Sequence, residues 1–109
     1  MPDPTISEFM SRMVAGFVVD KAAGIDATIQ LKLTGAQAAD WYFTIKDGKC
    51  TITQGIAPAA KLTVTTDSAD FIKIFTGKMD GMQAFMRGKI RIAGDMSLAL
   101  KLLALFKMQ

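Results

Sequence analysis

The sequence predicts an α+β fold built on a five-stranded sheet, and three observations lead there. Residues 27–33, "ATIQLKL", alternate apolar and polar side chains, the period of a half-buried strand. Residues 40–55 repeat that alternation on both sides of Asp47-Gly48, a two-residue turn signal of the kind that matches strand twist. Near both ends of the chain the apolar residues recur instead at helical spacing.

The elements follow in order. "PTISEFMSRMVAGFVVD" (4–20) reads as the first helix, with Thr5 and Glu8 at capping-box spacing. Ile6, Phe9, Met10, Met13, Val14 and Phe17 fall on one helical face, and Gly24 then breaks the chain. In the first strand Ile29, Leu31 and Leu33 share one side, leaving Thr28, Gln30 and Lys32 on the polar one. The Asp47-Gly48 turn sets Ile45 opposite Cys50 and Phe43 opposite Ile52, with Trp41 on the same apolar face. After a loop from Gly55 to Pro58, "KLTVTT" (61–66) is the fourth strand, Leu62 and Val64 inward. Asp67 is placed to N-cap "SADFIKIFT", which ends at Gly77, and a short helix over 80–87 stops at Gly88. "GKIRIAG" (88–94) is the fifth strand, with Ile90 and Ile92 inward, and a last helix runs over 95–107 behind an Asp95 N-cap. No internal repeat, low-complexity tract or linker interrupts residues 1–109, so one domain is expected.

That last helix is too apolar to pack on one side only. At 100° per residue, Ala99, Leu102, Leu103 and Phe106 form the centre of one face. Met96 and Leu100 flank it on one side, Leu98 and Leu105 on the other. The apolar arc is about 220° wide, where a stripe of roughly 100° or somewhat more suffices for a core. The same surplus shows in the whole chain, whose mean hydropathy is +0.28. Counting Gly with the apolar residues in place of Tyr gives about 57% apolar, above the ~45–50% of ordinary globular domains. The excess must meet a membrane, a partner or the wall of a cavity. No run approaches the ~18 apolar residues a membrane span needs, and "MPDPTISEFM" lacks a signal peptide's basic start and apolar run. With the single Cys50 excluding an internal disulfide, a cytoplasmic location is expected.

Several functions lose their chemistry at this stage. The chain has no histidine, which removes the most usual general base and the commonest metal ligand. Cys50 has no CxxC partner and sits mid-strand on the apolar face, a core position. The acidic residues fall at turns, strand starts and helix N-termini, where structure explains them, leaving no carboxylate pair for acid–base work or a metal cage. The glycines form no phosphate-cradling loop. No catalytic residue, metal or cofactor is therefore expected, and the chain is not expected to be an enzyme. A net charge of +3 without a Lys/Arg run or basic–aromatic interleaving argues against nucleic acid. Five of the eight methionines, Met79, Met82, Met86, Met96 and Met108, lie in the last third, and Met-rich surfaces accept varied apolar shapes.

"FTGKMDGMQAFMRGKIRIAGDMSLALKLL" (75–103) resembles the sterol carrier protein 2 family of small lipid-binding domains. The residues that carry the likeness are Gly77-Lys78-Met79-Asp80, Ala84-Phe85, Gly88-Lys89-Ile90 and Gly94-Asp95, followed by the Leu-rich helix. "WYFTIKDGKCTITQG" and "AKLTVTTDSADF" fit the family's hairpin and strand-then-helix turn, so the likeness extends over roughly residues 5 to 106. It implies helices packed on the sheet around an apolar tunnel that the last helix partly closes. It also implies non-enzymatic binding and transfer of fatty acids, fatty acyl-CoA, sterols or phospholipids. Gly81 departs from the pattern, standing where the family often has Pro. The end Lys107-Met108-Gln109 lacks the peroxisomal tripeptide of many eukaryotic members.

On this reading the tunnel is expected to be lined by Phe75, Met79, Met82, Phe85 and Met86. Ile90, Met96, Leu100 and Leu103 are expected to complete it. Lys78, Lys89 and Arg91 give a local basic bias suited to anionic headgroups and transient membrane contact. A lipid is the expected ligand and the chain is expected to be a monomer. The alternative is a scaffold or accessory subunit of lipid or quinone metabolism that meets a protein partner through its apolar surface.

Overall fold

The structure, a computed structural model, describes residues 5–106, with the side chain of Leu103 excepted. Its elements are α1 (Ile6–Ala15), β1 (Ala27–Thr34), β2 (Ala39–Lys46), β3 (Lys49–Gln54), β4 (Leu62–Asp67), α2 (Ser68–Phe75), α3 (Gly81–Met86), β5 (Ile90–Gly94) and α4 (Met96–Leu102). Short 3-10 turns cover Val19–Ala22, Gly35–Gln37 and Leu103–Leu105. The expected α+β class and five-stranded sheet are both present. The strand order is β3-β2-β1-β4-β5, with β1 and β4 parallel and every other neighbour antiparallel.

The local chemistry of the sequence accounts for most of these boundaries. Asp47 and Gly48 both take positive φ, 52° and 73°, the geometry of the tight turn that closes β2 on β3. That turn fixes the pairs Ile45 with Cys50 and Phe43 with Ile52. Thr5 Oγ1 accepts from the Glu8 backbone N–H, and Asp67 from that of Ala69. Asp80 and Asp95 serve α3 and α4 in the same way, accepting from Gln83 N and Leu98 N.

Three expectations change. The first helix stops at Ala15 rather than running to Asp20. Beyond Gly16 the backbone leaves the helix for the far end of the chain: Val18 N donates to Leu105 O at 2.8 Å, and Phe17 forms a bridge with Phe106. The last helix is shortened by the same contact, becoming 3-10 at Leu103 so that Leu105 O and Phe106 can meet residues 17 and 18. Its expected end at 107 lies outside the described residues. Gln30, on the polar side of β1, is buried. Its Nε2 donates to the carbonyls of Trp41 and Gly55, and its Oε1 accepts from Ala57 N at 2.7 Å, so the loop after β3 closes over it.

The core lies between the inner sheet face and the helices, and a chain of aromatic rings runs through it. Phe9 meets Phe71 edge-on, Phe71 meets Phe75, and Phe75 meets Phe106, with centroids 4.9 to 6.0 Å apart. Phe106 also packs on Phe17 and Phe43. The end of the chain is thereby tied to α2, to the sheet and to the segment after α1. Of α4, Leu98 and Leu102 are buried in this core. Its other flank is not.

Candidate functional site

That flank faces a cavity of about 170 Å³ on the β4–β5 side of the molecule. Its floor is two cross-strand pairs, Val64 with Ile92 and Thr66 with Ile90. One wall is α2, which contributes Phe71, Ile74 and Phe75, so the core's aromatic chain is also the cavity's inner boundary. The mouth lies between α3, with Gly81, Met82 and Phe85, and α4, with Met96, Ala99, Leu100 and Leu102. Four of these are open to solvent, Met82 being 54% exposed, Phe85 37%, Met96 44% and Leu100 63%, whereas Leu102 is buried.

The lining is almost wholly apolar. Thr66 is its one polar side chain, and its hydroxyl donates to the Lys89 carbonyl at 3.1 Å. No acid, base or thiol lines the cavity. Among the described residues no three of His, Cys, Asp and Glu stand close enough to hold a metal ion. Cys50 lies on β3, which the sheet order places at the opposite edge from β5. Burial pushes its thiol up to about 11, so it is protonated at neutral pH and a poor nucleophile. The site can bind by burying apolar surface. It offers no groups for bond-making chemistry.

Of the residues singled out in the sequence, Phe75, Met82, Phe85, Ile90, Met96 and Leu100 are brought together around this cavity. Met79 is half-buried against the core outside it, because the turn after α2 directs it there. Met86 is not part of the lining and is 77% exposed. The side chain of Leu103 lies outside the described residues. Lys78 and Lys89 are exposed on the connections into and out of α3. Arg91 alternates with Ile90 and Ile92 along β5, which puts it on the sheet face away from the cavity. Sequence reasoning passed over Val64, Ile92, Phe71 and Ile74. Strand alternation already placed Val64 and Ile92 inward, and Phe71 and Ile74 share a helical face with Phe75.

With this geometry in view, the comparisons with known proteins are decisive on one point. The sequence model of the SCP-2 sterol transfer family matches residues 18–107. The chain belongs to the SCP-2 sterol transfer family. Within it, the chain is 48% identical over 75 residues to hydroxysteroid dehydrogenase-like protein 2 of Xenopus tropicalis, an alignment covering 67% of this chain and 18% of that one. It is 37% identical over 84 residues to sterol carrier protein 2 of Homo sapiens, covering 77% and 15%. The chain thus spans less than a fifth of the length of either relative.

Solved structures agree on the SCP-2 fold. A sec-alkylsulfatase of Pseudomonas sp. superposes with a TM-score of 0.85 at 23% identity, over 97% of this chain and 17% of that one. Palmitated SCP2L2 of Aedes aegypti superposes with a TM-score of 0.73 at 25% identity, over 93% of both chains. Among the described residues no helix is long and apolar enough to cross a membrane.

Proposed function

We propose that the chain is a non-enzymatic lipid carrier, a single SCP-2 domain over residues 1–109 that takes the apolar part of a fatty acid, fatty acyl-CoA, sterol or phospholipid into the cavity between α3 and α4. The observation that carries this is the lining itself: thirteen of its fourteen residues have no polar side-chain atom, and its mouth is edged by exposed Met and Leu. Apolar cavities of about this size take up apolar molecules. The palmitate carried by the Aedes aegypti relative supports the same reading. A charged head finds no partner among the lining side chains, so it stays at the mouth, in water.

Chain length follows from the energetics. Each buried methylene contributes about 0.8 kcal/mol, against an association cost of roughly 4 kcal/mol or more, so a long acyl chain binds and a short one does not. The experiment is competition against a pyrene-labelled fatty acid. Palmitate should displace it and hexanoate should not. Phe85→Asp, which places a carboxylate at the mouth, should weaken the probe by tenfold or more (about 1.4 kcal/mol) while circular dichroism stays unchanged. Absence of saturable binding for every lipid class would end the carrier reading and leave the scaffold alternative, in which the apolar surface meets a protein.

A further inference from the structure

The cavity is small for a whole lipid. An apolar cavity of about 150 Å³ takes up one benzene ring, so this one, at 170 Å³, admits about six carbons. A fused sterol nucleus exceeds that space. A linear chain can place its end inside and lay the rest along the mouth, past Met82, Phe85, Met96 and Leu100. The inner end is closed by Phe75. Its ring lines the cavity and also stands 4.9 Å from Phe71 and 6.0 Å from Phe106, centroid to centroid. Among the described residues Phe106 is not part of the lining, and its other ring neighbours are Phe17 and Phe43. Phe75 thus divides the open space from a packed aromatic cluster. It is 9% exposed against 2% for Phe71, so it keeps more open ring surface. The two ends of the cavity also differ in how firmly they are held. α2 buries Ser68, Phe71, Ile74 and Phe75, is capped by Asp67, and is closed by Lys78 N and Met79 N donating to Lys73 O. α3 buries only Ala84. The cavity can therefore widen at its mouth, while the inner end stays fixed.

We infer that Phe75 determines ligand specificity: it stops the terminal methyl of an unbranched acyl chain, and the short space in front of it excludes a sterol nucleus. The inference rests on the carrier reading and narrows it from lipids in general to linear acyl chains.

Competition against the pyrene-labelled fatty acid tests this, with saturated acids from octanoate to stearate and with cholesterol. Each added carbon should tighten binding by about fourfold until the methyl group reaches Phe75, after which affinity levels off. Cholesterol should compete at least roughly tenfold more weakly than palmitate. Phe75→Leu deletes about three carbons and leaves space in their place, so the levelling point should move to acids about two to three carbons longer. Phe85→Leu makes the same deletion at the mouth and should weaken every acid without moving that point. A levelling point unmoved by Phe75→Leu, or cholesterol competing as well as palmitate, would overturn the inference. A fatty acid with a diazirine on its terminal carbon asks the same question of the unaltered chain, whatever the stability of the variants. Its crosslinks should fall on residues 71–75 of α2, and crosslinks on Met82 or Met96 instead would overturn the stop. Failure of the pyrene probe to bind the unaltered chain sinks the carrier reading itself. Saturable binding without a levelling point sinks only the role of Phe75.

Discussion

Thr66 is the one place where the cavity wall can make a hydrogen bond, and its donor is already given to the Lys89 carbonyl. Thr66→Val removes that donor and is expected to lower stability by about 1 kcal/mol while tightening an apolar probe. If the hydroxyl instead held a ligand's head, the same change would weaken binding, so a thermal melt and a probe titration separate the two. Cys50 gives a second residue-level test. A thiol at about 11 against an ordinary value of 9.0 holds roughly a hundredfold less thiolate at pH 8, so alkylation should be slower than that of a free cysteine peptide by that order. A rate near that of the peptide would contradict its burial. The sign for stability follows from the same shift: the buried thiol keeps its proton longer than the unfolded one. Its contribution is therefore present below pH 9 and lost as pH rises toward 11. Cys50 on the apolar face was legible from alternation alone. That Met79 and Met86 fall outside the cavity lining has a physical cause, because composition marks which residues are adaptable but not which ones a distant element covers.

Two short helices, α3 and α4, border the cavity, and they are where the fold is most easily loosened. α4 has seven residues, below the length at which a helix holds itself in water. Leu98 and Leu102 fasten it to the core, whereas Met96 and Leu100 are left facing the mouth. Amides of α4 are therefore expected to exchange faster than those of the β2–β3 hairpin, and a long-chain fatty acid should slow them selectively. Exchange in α4 as slow as in the hairpin, and unmoved by fatty acid, would make it ordinary core. The joint before α4 is tight. Gly94 has φ 114°, and a Cβ there would run into the Lys61 carbonyl oxygen, while Asp95 N donates to that same oxygen. Gly94→Ala should cost about 1–3 kcal/mol and disturb the β4–β5–α4 corner first. The hairpin and the helix N-caps could be read from the sequence because each is decided within a few residues. The end of α1 could not, because what draws Phe17 and Val18 out of the helix is Phe106 and Leu105, some ninety positions away.

At the scale of the whole molecule, the apolar surplus resolves into two destinations. Most of it is core, in a chain whose Cα radius of gyration, 12.8 Å, matches the ~13 Å of a compact domain of this length. The rest lines the cavity and edges its mouth on α3 and α4. The sequence showed that the surplus existed. Only the packing of α2, α3, α4 and the β4–β5 edge against one another shows where it goes. In the proposed carrier this second portion serves a lipid rather than another protein, and native mass spectrometry of the purified chain separates the two. The expected result is a monomer carrying one non-covalent long-chain lipid per chain, released on denaturation and exchanged for added palmitate. An oligomer with no bound lipid, and no uptake of palmitate, would contradict it.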